Sequence, residues 1–195
     1  QVAADLFTRL GDNLAAARCQ LDMAFGLFLQ DAERALSHVQ TARAAFEATQ
    51  SEVDVAEADL YTGLIYSEQS HFAQALPLFQ RARTVFLREG LTMRAALTDI
   101  NHANTLFRMG RLEEALPLIE QARQQMVAAD RAVMVVACDV NAGNIHAALG
   151  RYQQALAAFE QALTLCQKRG FQVDAGRCLV NIATVYEQTG QYGRA

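Results

Sequence analysis

Apolar residues in this chain fall on two alternating kinds of helical face. Leu179, Ile182, Ala183 and Tyr186 follow the i, i+3, i+4, i+7 spacing of one face, and Ala155, Leu156, Phe159, Ala162 and Leu163 trace another in the segment before. The alternation returns every forty residues: NAGNIHAALGRYQQAL at 141–156 has counterparts in YTGLIYSEQSHFAQAL at 61–76, NHANTLFRMGRLEEAL at 101–116 and NIATVYEQTGQYGRA at 181–195. Self-similarity at such a period marks units that bury their apolar faces only by stacking on their neighbours. The pattern predicts an all-α fold, an α-solenoid of antiparallel helix pairs, with 1–195 forming a single array.

Helical hairpins are expected at about 12–48, 53–89, 92–128 and 132–169, followed by a partial repeat at 172–195 with its first helix over 172–189. Residues 1–10 read as the end of a preceding helix, since Ala3 and Phe7 align with Ala82 and Phe86, and Ala195 aligns with Ala155 just inside a second helix. The array is therefore expected to be truncated at both ends. Gly110, Gly150 and Gly190 sit where a left-handed residue can end a first helix without steric cost, with Ser70 in the earlier copy. Between units the corresponding residues are Gly11, Gln50, Gly90, Asp130 and Gly170. The first hairpin is one residue short: Ala24 and Ala35 are eleven apart, whereas Gly63–Ala75 and its later equivalents are twelve apart, which predicts a tighter turn near Gln30–Asp31. Small residues at Gly63, Ala103, Gly143 and Ala183 face large ones at Phe79, Ile119 and Phe159, a pairing that sets close helix spacing.

Composition narrows the class. Trp is absent, only two prolines occur, and good helix formers dominate. The net charge is −4 with both signs interspersed, so no basic stripe exists to gather phosphates and no nucleic acid is expected as a partner. The longest apolar run, 132–138, is far short of the roughly 20 residues a membrane span needs. Cys19, Cys138 and Cys178 share one repeat position with Ala58 and Thr98, which reads as a demand for a small buried residue. Cys166 completes the four cysteines; no Cys-x-x-Cys spacing suggests a metal, and free thiols suit the cytoplasm. No cofactor is implied.

These columns resemble the tetratricopeptide repeat: a small residue in the first helix, glycine at the turn, Tyr152 or Tyr192, the Ala155–Leu156 pair, then Phe159 and Ala162. The forty-residue period and the missing Trp match a longer-repeat subgroup, seen in kinesin light chains and bacterial signalling proteins, with an Asn-x-Ala/Gly-x-x-Tyr core like 181–186. Many bacterial examples carry a CHAT protease or a nucleotide-switch module on the same polypeptide; neither module's motifs occur here. The resemblance implies a non-enzymatic interaction module whose first helices line a concave groove for a peptide or partner domain. It leaves two alternatives: a regulatory arm of a larger signalling protein, and an oligomerisation scaffold that self-associates through its ends.

Projecting the family's groove onto this sequence gives an apolar floor of Leu60, Ile100, Val140 and Val180. Beside it runs a polar row of Asp22, Tyr61, Asn101, Asn141 and Asn181, and one turn further Phe25, Leu64, Asn104, Asn144 and Thr184. An asparagine amide offers donors and acceptors and can hold an extended peptide backbone without reading its side chains. The same asparagines can instead bond to neighbouring helices and serve packing. Arg108 and Arg177 flank the row as possible sources of side-chain preference. His102 and His146 read as core histidines, His38 and His71 as exposed ones, and none has a nucleophile and orienting acid beside it.

Overall fold

In the computed structural model, which describes residues 2–191, every regular element is an α-helix. The described helices are α1 (Val2–Arg9), α2 (Asn13–Leu27), α3 (Ala32–Ala48), α4 (Glu52–Glu68), α5 (Phe72–Arg88), α6 (Thr92–Arg108), α7 (Leu112–Ala128), α8 (Ala132–Ala148), α9 (Tyr152–Arg169) and α10 (Gln172–Gln188). Tyr192 and Ala195, assigned above to a further second helix, lie outside the described residues. The chain divides into two compact units at 101/102, within α6. The fold is an α-solenoid of consecutive helix pairs, and each unit is taken by itself below.

One kind of junction recurs. After every helix stop but that of α2 a left-handed residue follows, at Gly11, Gly90, Gly110, Gly150, Gly170 and Gly190, and also at Gln50 (φ 54°), Ser70 (φ 61°) and Asp130 (φ 49°). The next N–H then reaches back five residues, as from His71 to the carbonyl of Tyr66 (2.8 Å) and from Arg131 to that of Met126 (2.9 Å). That bond satisfies a carbonyl the helix leaves orphaned. Side chains such as Ser70 and Gln50 adopt glycine's conformation because the surrounding helices fix the junction.

The first hairpin departs from the expectation of a tighter turn. Four residues, 28–31, separate α2 from α3, against three in the next hairpin, and none of the four is left-handed. The deletion shortens the helix, since α2 has 15 residues where α4 has 17. Asp31 restarts the chain by accepting from the Arg34 N–H at 3.1 Å, a side-chain cap that replaces the missing junction.

Small and large columns form the cores. In the first unit Ala35, Ala42, Phe46, Ala75, Phe79, Ala82 and Phe86 are wholly buried; in the second Ala115, Ala122, Met126, Ala155, Ala162 and Cys166 are. A Cβ added to Gly63 would lie 2.8 Å from Phe79 Cε1, and one on Gly143 would lie 2.4 Å from Phe159 Cε1, so glycine there is a packing requirement. Cys138 and Cys178 are fully buried and Cys19 partly so; burial pushes the Cys138 thiol up to about 12, the behaviour of an inert filler. Leu179 differs from the face expected of it, being 54% exposed while Cys178 and Val185 carry the buried side of α10.

The position of Leu179 explains that difference and exposes a column missing from the sequence reading. Forty, eighty and 120 residues earlier it holds Asp139, Asp99 and Asp59, all buried, each paired with an arginine sixteen residues before it. Arg43 bonds Asp59, Arg83 Nε donates to Asp99 at 2.6 Å, and Arg123 bonds Asp139, with Nη2 to Oδ2 at 3.3 Å. At the next step both partners change together, to Leu163 and Leu179. Leu179 stands on α10, after which no described second helix follows to cover it.

Candidate ligand-binding face

The candidate residues all stand on first helices, at positions one turn apart that the repeat brings to one face of each unit. In the first unit that face is aromatic and acidic. Phe25 of α2 stacks on Phe28 (ring centroids 5.5 Å apart) and meets Tyr61 of α4 edge-on at 6.0 Å. Leu64 is half-buried one turn beyond Tyr61, and Leu60 is half-buried beside it. Burial, then the carboxylates of Glu57 and Asp22, hold the Tyr61 hydroxyl above its ordinary pKa. Burial likewise raises Glu57, against the pull of Arg94, which forms an ion pair with it. Asn101, half-buried, turns its amide inward and donates to the Leu97 carbonyl of its own helix at 3.0 Å.

The second unit gathers the remaining asparagines. Asn141 Nδ2 donates to Asn104 Oδ1 at 3.1 Å, a direct bond between neighbouring first helices of the kind the packing role requires. Asn144 is exposed and Asn181 half-buried, and together with Phe107, Thr184 and Gln188 they line a pocket of about 280 Å³. A second pocket of about 180 Å³ lies nearer the start of α8 and α10, with Val133, Val136 and Val140 for its apolar wall and Asn141, Asp174 and Arg177 for its polar rim. Arg177 is exposed, its Nη1 3.5 Å from Asp174 Oδ1. Arg108 is exposed in the last turn of α6, and Val180 of the expected floor is 65% exposed.

Larger clefts lie elsewhere. One of about 960 Å³ runs between α3 and α5 over α4, and one of about 600 Å³ occupies the equivalent place among α7, α8 and α9. Their floors are the paired aspartates: Asp59 is held by Arg43 and by Arg81 (Nε to Oδ2, 3.0 Å), and Asp139 by Arg123. Charges already satisfied by one another offer a ligand little, so these clefts are the spacing between successive second helices.

The histidines differ in burial. His102 is buried; His146 is half-buried with Nδ1 unpartnered, and burial followed by Arg151 lowers its pKa. His71 is exposed. His38, expected to be exposed, is half-buried and donates from Nδ1 to Gln20 Oε1 at 2.5 Å, because the shortened α2 still packs along α3. Among the described residues no group of three or more His, Cys, Asp or Glu is placed to hold a metal, and no helix is long and apolar enough to cross a membrane.

Comparison with known proteins agrees with the repeat. The tetratricopeptide repeat model matches residues 94–168 and 135–195. No curated protein matches the sequence. Among solved structures, a Rap protein complexed with Competence and Sporulation Factor is similar over 94% of this chain and 52% of its own, at 20% identity and a TM-score of 0.77. A Podospora anserina kinesin light chain with nearly identical repeats is similar over 89% of this chain and 87% of its own, at 17% identity and 0.76. The Rap conjugation gene regulator of plasmid pLS20, in complex with the Phr* peptide, covers 96% of this chain and 50% of its own, at 19% identity and 0.68. At these identities the likeness is one of fold, and the chain spans about half the length of either Rap protein.

Proposed function

Because the chain belongs to the tetratricopeptide repeat family, we propose that it is a protein-interaction module that binds a peptide, or an extended segment of a partner domain, along its first helices. The observation that carries this reading is the pair of pockets in the second unit, where Asn144 and Asn181 share one and Asn141 and Arg177 share the other. Each combines an apolar wall with an amide that can donate and accept, the requirement for holding a backbone while seating a side chain. Asn104 and Arg108 belong to the same unit, and Asn101, Tyr61 and Leu64 hold the equivalent repeat positions in the first unit. No reaction is assigned to these residues, and the chain's four cysteines, none of them in a disulfide, support a place in the cytoplasm. The Rap regulator matched over half its length was solved with a peptide, which supports a peptide ligand and favours, as a second reading, a sensing arm within a larger regulatory polypeptide.

The test is Asn144→Ala combined with Asn181→Ala. Both side chains reach solvent, so helicity by circular dichroism should be unchanged. Affinity for a peptide selected on the wild-type chain should fall roughly tenfold, the loss of two hydrogen bonds of about 0.5–1.5 kcal/mol each. Undiminished affinity would return these asparagines to packing alone.

A further inference from the structure

On the aromatic and acidic face of the first unit, Phe28 and Tyr61 pack against the core, whereas Phe25 and Asp22 do not. Asp22 and Phe25 stand one turn apart on α2, and Glu57 and Tyr61 one turn apart on α4. Phe25 is 56% exposed although stacked on Phe28 and set edge-on to Tyr61, so part of its ring faces water. Glu57 is matched by Arg94, whereas Asp22 has no ion pair among the described residues. Arg18, one turn before Asp22, is taken up by Asp54, so three carboxylates against two arginines leave one negative charge beside the exposed aromatic ring.

We propose that this patch is a docking site for a cationic side chain, arginine above all, carried by a peptide partner. The ring face attracts a cation through its quadrupole, and Asp22, one turn away on the same helix, supplies the counter-charge. Guanidinium fits better than ammonium, because its plane can stack on Phe25 while its fork bonds a carboxylate. Glu57 and Asp22 both raise the Tyr61 hydroxyl, so both carboxylates are within electrostatic reach of that ring. A neutral or acidic side chain seated there would desolvate Asp22 with nothing in return. The inference rests on the reading that the partner is a peptide, and adds what that peptide must carry.

The experiment is selection of a random linear peptide library on the 195-residue chain, followed by titration of synthetic winners against wild type, Asp22→Asn, Phe25→Ser and Asn181→Ala. Arginine or lysine should be enriched at one position, and Asp22→Asn should weaken the winners roughly five- to tenfold, as should replacing their arginine with citrulline. Asp22 is exposed, so its conservative variant keeps the fold even if Phe25→Ser does not. Winners without a basic residue, basic winners that bind Asp22→Asn undiminished, or no winners at all would overturn the proposal. Winners that lose affinity in Asn181→Ala but carry no basic residue would sink this inference and leave the second-unit pockets standing. Basic winners sensitive to Asp22→Asn and indifferent to Asn181→Ala would do the reverse.

Discussion

Replacing Gly143 with alanine tests how the helix pairs are sized against each other. The new Cβ would lie 2.4 Å from Cε1 of Phe159 and 2.7 Å from its Cδ1 and Cζ, where carbon atoms prefer about 3.5–4.0 Å. Phe159 is 1% exposed and packed on every side but the one that borders the small pocket of Asn144 and Asn181. Forcing its ring aside should cost roughly 1–3 kcal/mol. Alanine returns up to about 1 kcal/mol of helix propensity, leaving a net loss of about 1–2 kcal/mol. Gly63→Ala, which meets Phe79 at 2.8 Å, should lose less. The preceding hairpin holds the compensated form, since Ala103 and Ile119 occupy the same two positions, both fully buried. Gly143→Ala with Phe159→Ile should therefore be more stable than the two single changes added together, by a coupling of about 1–2 kcal/mol. Urea midpoints followed by circular dichroism would measure it, with hydrogen exchange at α8 and α9 because a repeat array need not unfold in one step. A Gly143→Ala chain as stable as wild type, or strict additivity in the double variant, would refute the reasoning.

Two further expectations follow from buried polar groups. Arg123→Ala strands Asp139, whose side chain is 5% exposed, and should cost about 3 kcal/mol, whereas Arg123→Leu with Asp139→Leu should cost much less; thermal melts would show an equal loss in both if the pair is not coupled. His146 has its pKa lowered from 6.5 by burial, so the unfolded chain binds its proton first and stability should fall as pH drops through 6.5, levelling off below the folded value. His146→Tyr, the residue of Tyr66 and Tyr186, should flatten that slope and gain about 0.5–1 kcal/mol by removing the unpartnered Nδ1; an unchanged pH profile of the melting temperature would assign the dependence elsewhere.

The fold was legible because the repeat speaks for itself, and it overrode local rules where the two conflicted. Pro77 and Pro117 lie inside α5 and α7, and Ser70, Gln50 and Asp130 take glycine's conformation, since packing on neighbouring helices outweighs what one residue prefers. The first turn was misjudged because a one-residue deletion does not say whether helix or loop gives way. The arginine–aspartate column was visible as Asp59, Asp99 and Asp139 at the repeat period, but charges on amphipathic helices are read as solvated by default. The site was the least legible part. Asparagine type marked a row of positions but named neither their use nor a partner, and the same residue type turns to its own helix at Asn101, to a neighbour at Asn141 and toward a pocket at Asn144.

The change from arginine and aspartate to Leu163 and Leu179 also gives the array a grammar for grafting. In the second, third and fourth hairpins the aspartate is answered by an arginine of the hairpin before it, so a forty-residue cassette cut at a first helix carries half of the bond at each seam. Cassettes from 52–91 and 92–131 are interchangeable by that rule. The one beginning at 132 accepts them upstream but ends in Leu163, and a cassette with a buried aspartate joined after it would have no cation to meet. Recombination within this chain is thus permitted in one order and penalised in the other.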